Sequence, residues 1–408
     1  MMKASFDRAL RYDVRIACVT PLCHGGTESV EDGVLRYHDG TSFLQGTSLV
    51  GAFRRWRDDP ALFGVRQEAS PLIVSDLVFE SDEVAIRPHL KLDPATGAPA
   101  TKGFLTAAMA VGTQGSFRLT WRGTGDWKIA AQTIEVYLSA LEGGLIRLGA
   151  KKNNDFGRVA VLDLRRKVYD MTDPADRRDW LEDAPPVERL LVEPLRAEAV
   201  VFDILADFEI LRTKAAQWQT SGEKSYVRAT PIRENGRSVI PSSSIKGAMR
   251  VQMGRIAAQF GMEDRIGEIL GMPGYSGRVV FSDGSFEGAE QERLHKRIRI
   301  NRLTGGMLGS LVTTGKTTGG QLHWQIRVPD CGPCDCALVL FALRDLGLGL
   351  YTLGDGYALG WGRAENLWVT VRSPRGTATM RCDDGAVTLE DPTGMTKDWM
   401  QALGGMER

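Results

Sequence analysis

The chain has 408 residues and a mass of 44.8 kDa, a length that predicts two or three domains. Lys+Arg and Asp+Glu are 51 each, which excludes a protein that is basic over its whole surface and leaves room for a local basic face. Apolar residues at 43% and charged residues at 25% exclude a disordered chain, and 46 glycines call for Gly-rich loops.

Residues 1–14 carry no apolar core of the kind a secretory signal has. The longest apolar run, 337–343, is far short of the ~20 residues of a membrane span. Six cysteines in this length do not make a disulfide scaffold. A cytoplasmic protein with reduced thiols and no membrane contact is expected.

In chain order, alternation over 13–19 predicts an opening strand. A polar loop follows, with His24-Gly25-Gly26 and the carboxylates Glu28, Glu31 and Asp32. A short apolar segment enters a Ser/Thr-rich turn and a helix at 43–54. Residues 92–97 read as a turn, 115–121 as a strand and 133–145 as a helix. A Gly-rich loop at 148–158 precedes a last strand. Residues 166–195 are charged and hold Pro174, Pro185, Pro186 and Pro194, which reads as a linker with a short helix. The pattern then returns: a strand at 198–205, a Ser-rich turn and helix at 239–250, and a turn at 300–305. A strand at 322–328, a helix at 337–346 and a Gly-rich loop at 353–363 follow.

The chain therefore resembles itself. Gly51-Ala52-Phe53-Arg54 returns 196 residues later as Gly247-Ala248-Met249-Arg250. Thr96-Gly97 returns after 208 residues as Thr304-Gly305, and Phe156-Gly157-Arg158 after 205 as Trp361-Gly362-Arg363. Three motifs in one order predict a tandem duplication, with domains at 1–170 and 196–408 and a linker at 171–195. Each copy reads strand–helix–strand–strand–helix–strand. That is the ferredoxin-like pattern of RNA-recognition folds, so an α+β protein of two tandem ferredoxin-like (RRM-like) domains is expected.

The strand-to-helix junction is the first chemical candidate. Pro241 ends an extended segment, and Ser242, Ser243 and Ser244 can cap the helix and leave backbone N–H groups facing outward. Such a start can seat an anion, with Lys246 and Arg250 on one face. An ordinary cap with surface basic residues is the plain alternative. In the first copy Val50 replaces the lysine, while Arg54, Arg55 and Arg57 keep basic character. The Gly-rich loops can bring backbone N–H groups close to a polyanion, or be simple helix-ending turns. Arg293, Lys296, Arg297, Arg299 and Arg302 offer a phosphate-contacting strip or a solvated face. Cys331, Cys334 and Cys336 resemble a zinc knuckle that lacks an assigned fourth ligand, with His295 and His323 upstream. His24 reads as a loop or core histidine, and Trp121, Trp324 and Trp361 as core.

In this order the motifs resemble the RAMP superfamily, specifically the backbone subunits of type III CRISPR effector complexes (the Csm and Cmr backbone family). The residues that carry the resemblance are His24-Gly25-Gly26, the junction 240–250, Ile300-Asn301-Arg302-Leu303-Thr304-Gly305 and Leu359-Gly360-Trp361-Gly362-Arg363. Two units in one polypeptide resemble a type III-D-like arrangement. The resemblance implies RAMP domains with loop and thumb insertions, the thumbs at 84–105 and 290–320. It implies a CRISPR RNA held in the first repeat by Ser48, Arg54, Lys151, Lys152 and Arg158. In the second repeat the implied contacts are Ser243, Ser244, Lys246, Arg250, Arg299, Arg302, Gly360 and Arg363. The implied partners are CRISPR RNA, target RNA, other RAMP backbone subunits and a large signalling/nuclease subunit. Target-RNA cleavage by an acidic residue after the first strand is implied too, at Asp32 or, with a one-residue gap, Glu31. A carboxylate there can bind Mg2+ or Mn2+ or activate a ribose 2′-OH. The second repeat has Arg228 or Ala229 at that place, so it is expected to bind RNA without cutting. A structural subunit without cleavage and a guide-processing endoribonuclease are the alternatives. The latter class uses a His-based site, and the chain has five histidines, none in the junctions.

Overall fold

In a computed structural model of the chain, residues 6–24, 34–89, 93, 104–124, 126–212, 216–221, 224–229, 231–234, 236–297, 300–308, 313–330 and 332–404 are described. The chain folds as two compact units. One comprises Met1–Ile86, Thr106–Lys152 and Phe156–Ala197; the other comprises Arg87–Leu105, Asn153–Asp155 and Glu198–Arg408.

The first repeat opens with β1 (Arg8–Cys18), β2 (Phe43–Leu44), α1 (Gly46–Trp56), α2 (Pro60–Phe63), β3 (Leu72–Val74) and β4 (Leu77–Phe79). A hairpin of β5 (Val84–His89) and β6 (Phe104–Met109) follows. Then come β7 (Gln114–Gly123), α3 (Trp127–Glu142), β8 (Val159–Asp170), α4 (Pro174–Leu181) and β9 (Glu188–Arg189). The sheet order is β2-β4-β7-β1-β8-β9, with β1 antiparallel to both β7 and β8. Strand alternation points Leu10, Tyr12, Val14 and Ile16 into a core shared with Leu49 and Phe53 of α1 and Ile134, Leu138 and Leu141 of α3.

The second repeat contains β10 (Ala199–Leu211), β11 (Ala216–Ser221), β12 (Lys224–Ala229), β13 (Ile232–Glu234), β14 (Arg237–Ile240), α5 (Ser242–Ala258) and α6 (Arg265–Leu270). It continues with β15 (Val280–Phe281), β16 (Gly284–Arg297), β17 (Thr313–Pro329), α7 (Pro333–Gly347), β18 (Ala364–Ser373), β19 (Gly376–Asp383), β20 (Ala386–Glu390) and α8 (Met395–Gly404). Its main path is β13-β14-β16-β17-β10-β18-β19-β20. The opening strand again lies between the third and last core strands, antiparallel to each. The duplicated ferredoxin-like fold is thus present in both halves. Helix α7 is buried on nearly every side, which explains the all-apolar run that starts at Ala337.

Two expectations shift, and the turn expected at 300–305 is found. Helix α3 begins six residues early, at Trp127, because the Asp126 carboxylate accepts Lys128 N–H at 2.9 Å. Residues 171–195 belong to the first unit: they form α4 and β9, and β9 pairs with β8. The tip of the β16–β17 hairpin is a turn closed by an Ile300–Met307 bridge, with Asn301 Oδ1 accepting Leu303 N–H at 2.8 Å.

Candidate nucleic-acid interface

The two Gly-rich loops are built by the same bonds. In the first unit, Ala150 N–H donates to the Cys23 carbonyl and Gly157 N–H to the Pro21 carbonyl, each at 2.9 Å. In the second, Asp355 N–H donates to Arg212 and Gly362 N–H to Ile210, each at 2.8 Å. Each loop thus lies along the chain leaving the first strand. Gly157 and Gly362 have φ of +80° and +74°. A Cβ on either would stand 1.9 Å from the carbonyl oxygen of Leu148 or Leu353, so only glycine closes the loop.

These bonds set the first loop against the root of the acidic segment. Asp32, Glu31 and Glu28 lie outside the described residues, but both roots of their segment are described. His24 is 2% exposed and its ring Nε2 lies 2.8 Å from the Phe43 carbonyl, to which it donates. Burial holds its pKa below the usual histidine value, so the ring is neutral. Phe43 N–H in turn donates to Leu35 at 3.1 Å, so one residue of β2 ties both roots. Arg36 reaches Asp82 at 2.9 Å, and buried Ser42 donates to the same carboxylate at 2.6 Å. The second repeat repeats this cluster with Ser238 donating to Glu290 at 2.7 Å and Arg233 at 3.6 Å. Between Arg212 and β13 it has the β11–β12 hairpin, and Arg228 and Ala229 lie in β12.

The junction differs from the serine cap expected. Pro241 is the N-cap residue of α5, and neither α1 nor α5 has a side-chain cap from its own flank. An aspartate from the strand region after the helix takes that place. Asp76 accepts Gly46 N–H at 2.7 Å, and Asp283 accepts Ser242 N–H at 2.6 Å. A carboxylate therefore already occupies part of the positive end of each helix, where a phosphate seat was expected. Asp283 also pairs at 2.7 Å with Arg87, a residue of the same unit, and Arg87 donates to Glu234 at 2.5 Å. Burial, then the neighbouring Asp283, raises the Glu234 pKa.

The cations divide into spent and poised. Arg54 is paired with Asp58 one turn on, at 2.9 Å. Arg250 donates to the Leu270 and Gly271 carbonyls at 2.8 Å each, which fastens the end of α6. Lys246, half-buried beside Ser243 and Ser244, is pushed down to about 8 by burial and then by Arg250. Lys152 is likewise pushed down to about 8, by burial, then Arg55, then Arg147. Arg147 donates to the Lys152 carbonyl at 3.0 Å. Lys151 donates to Thr106 Oγ1 at 2.7 Å, and burial lowers its pKa. Arg158 Nε and Arg363 Nε lie 3.4 and 2.8 Å from where a Cβ on Gly144 and Gly349 would stand. Gly360 and Arg363 are exposed on the second loop, Arg302 is exposed near the hairpin tip, and Arg299 lies outside the described residues.

Among the described residues, no group of three or more His, Cys, Asp or Glu could hold a metal ion. Cys334 and Cys336 are buried in α7, and Cys331 lies outside the described residues. His295 bonds to Thr317 at 3.0 Å and His323 to Asp203 at 2.6 Å, so both upstream imidazoles are engaged elsewhere. Trp121, Trp324 and Trp361 are buried, as expected of core residues.

A family model described as the RAMP superfamily matches residues 15–160 and 211–365. The chain belongs to the RAMP superfamily. Each matched stretch runs from the first core strand of a repeat to its last, β1 to β8 and β10 to β18. No curated protein matches the chain. RAMP membership gives it a CRISPR-associated, RNA-binding role within a multi-subunit assembly. Among the described residues, no helix is long and apolar enough to cross a membrane. On β1 the outward face carries charge where RNA-recognition domains carry base-stacking aromatics. The outward positions of β1 hold Arg11, Asp13 and Arg15, and all three are ion-paired.

Proposed function

We propose that the chain is a double backbone subunit of a type III RNA-guided complex. Both repeats grip the CRISPR RNA, and the first repeat cuts the paired target RNA. The observation that carries this reading is the shared anchorage of two features in the first unit. The chain that leaves β1 is bonded to a cation-bearing Gly-rich loop through Cys23 and enters the acidic segment at its next residues. A polyanion held by the loop would meet the root from which the acidic segment leaves.

In that reaction Asp32 or Glu31 takes the proton from a ribose 2′-OH. The oxygen attacks the adjacent phosphorus in line to give a 2′,3′-cyclic phosphate, and the 5′-oxygen leaves and takes a proton from water, so the backbone must be splayed to align them. Mg2+ or Mn2+ bound at the carboxylate would stabilise charge on the phosphoryl oxygens. The second repeat carries Arg228 or Ala229 at the matching place and acts as an RNA grip. Each thumb hairpin interrupts the guide–target duplex, and Leu303, 97% exposed at the second tip, supplies an apolar wedge. The large signalling/nuclease subunit and other backbone subunits complete the assembly. Zinc on Cys331, Cys334 and Cys336 would need a fourth ligand, and zinc analysis of the purified chain tests it.

The test is target-RNA cleavage by the assembled complex, wild type against Asp32→Ala and Glu31→Ala, with Mg2+ and with EDTA. Loss of specific cuts with RNA binding retained supports the reading. Unchanged cutting in both variants leaves a structural RNA-binding subunit. A guide-processing histidine site finds less support, because none of the five histidines lies in the junctions.

A further inference from the structure

Both repeats carry the same small seat at the start of their first helix, and they fill it differently. Register places Tyr37 and Glu234 alike: the residue before each, Arg36 or Arg233, is the antiparallel partner of Ser42 or Ser238. The aspartates match as well. Asp76 Oδ1 accepts Gly46 N–H at 2.7 Å, and Asp283 Oδ1 accepts Ser242 N–H at 2.6 Å. In each repeat the cap uses one carboxylate oxygen, and Oδ2 meets a second donor.

In the second unit that donor is Arg87. The stretch Arg87–Leu105 belongs in sequence to the first repeat's hairpin and in space to the second unit. Arg87 is 1% exposed, and its Nη2 donates to Asp283 Oδ2 at 2.7 Å and to Glu234 Oε1 at 2.5 Å. Two largely buried carboxylates left without a cation would be strongly destabilising, so this seat demands a positive charge. Ser242 Oγ also donates to the Asn154 carbonyl at 2.9 Å, and Asn153–Asp155 is the other early segment of this unit. The start of α5 is thus held at two points by segments that precede it in sequence.

In the first unit the donor is internal. The Tyr37 hydroxyl donates to Asp76 Oδ2 at 2.6 Å, and its ring stacks on Phe43 at 4.0 Å and 8°. The bond to Asp76 pushes the phenol up to about 12, so it keeps its proton at neutral pH. A neutral hydroxyl therefore fills the place that Arg87 fills in the second unit. The second hairpin differs too. Arg87 lies five residues after Asp82, and His295 lies five after its counterpart Glu290. His295 bonds to Thr317 at 3.0 Å and lies 4.7 Å from the Trp361 ring, both within its own unit.

We infer that Arg87, Glu234 and Asp283 form a latch that fixes the order of the two repeats, and that Tyr37 closes the matching seat of the first repeat against the hairpin of a second copy of the chain. Repeats that present a key at one end and its seat at the other join head to tail into rings or open filaments. Here the two ends do not match: the leading seat holds Tyr37, and the trailing hairpin carries His295. Specificity comes from closing the wrong pairing as well as from making the right one. The chain is a pair of repeats that does not extend into a filament of itself. A neighbouring backbone subunit that meets the first repeat uses chemistry other than a buried arginine. None of this depends on RNA binding or cleavage.

The test is the mass of the full chain in solution without RNA, read by analytical ultracentrifugation. Tyr37→Glu restores the carboxylate pair of the first seat, and His295→Arg restores the key on the second hairpin. Each variant alone should sediment as the wild type does, at 44.8 kDa. An equimolar mixture of the two should double that mass and stop there, because each chain carries one new half. His295→Gln in place of His295→Arg should leave the mixture monomeric. Tyr37→Ser, which opens Asp76 Oδ2 without adding a carboxylate, reads the same mixture with weaker association where the glutamate variant does not fold. Hydrogen exchange at the start of α5 should rise in Arg87→Gln, while that at the start of α1 stays unchanged. A wild-type chain that forms head-to-tail oligomers overturns the inference. So does a mixture that stays monomeric or grows past the dimer, or an α5 start that Arg87→Gln leaves as protected as before.

Discussion

Replacing Gly157 by alanine tests the way the Gly-rich loop is closed. At φ +80° an L-residue costs ~1–2 kcal/mol. The new Cβ would stand 1.9 Å from the Leu148 carbonyl oxygen, which is too close to survive. The chains must part, which breaks Leu148 N–H to Gly157 and Gly157 N–H to Pro21, both at 2.9 Å. Each bond is worth ~1 kcal/mol net, so the total is about 3–4 kcal/mol. For a unit of this size that lowers the melting temperature by about 6–16 °C. Gly362→Ala should behave alike, since its Cβ would meet the Leu353 carbonyl oxygen at 1.9 Å. Gly360→Ala is the internal control: φ is +80° there too, but nothing lies within 4 Å. It should cost only the backbone share, about 1–2 kcal/mol. Calorimetry of the full chain reads all three variants. Equal shifts for Gly157→Ala and Gly360→Ala would refute the close-approach argument.

Other outcomes follow from the same geometry. Asp283→Ala should destabilise by about 3–5 kcal/mol, because it uncaps α5 and strips buried Arg87 of one of its two carboxylates; denaturant unfolding measures it. Asp76→Ala, which uncaps α1 without exposing a buried arginine, should cost less, about 1–2 kcal/mol in the same assay. Gly247→Ala should stabilise the fold by up to ~1 kcal/mol, because the added methyl meets nothing within 4 Å; the same unfolding assay reads it. Lys152 and Lys246 sit at about 8 in the fold against 10.5 unfolded, so between those values the unfolded chain binds more protons. Stability of the free protein should therefore rise with pH across that window, while RNA affinity falls as the ammonium groups are lost; denaturation and anisotropy from pH 7 to pH 10 check both signs.

Much of the architecture was legible because it is written locally. Alternation marked β1 and β10, and Gly157 and Gly362 stood out because one carbonyl contact forces the same residue twice. The turn at 300–305 was readable from Asn301 and Gly305, whose roles lie within a few residues. What escaped was non-local or degenerate. Asp76 and Asp283 cap helices that begin 30 and 41 residues earlier, and no local pattern announces such a partner. The Ser42–Asp82–Arg36 cluster becomes Ser238–Glu290–Arg233, with a changed carboxylate and changed spacing, so residue matching passes over it. Asp126 was a local helix-start signal that apolar periodicity alone does not detect. Arg250 read as a phosphate ligand from its place beside Lys246, yet its guanidinium is bonded to α6 carbonyls that lie 20 and 21 residues away.

The central claim is that both repeats grip the guide strand. Crosslinking of guide RNA within the assembled complex, mapped by mass spectrometry, tests it most directly. The account predicts adducts in both repeats, at the helix junctions and Gly-rich loops, with the sheet face around Arg11, Asp13 and Arg15 left unmodified. Adducts confined to the sheet face, or to one repeat alone, would contradict it.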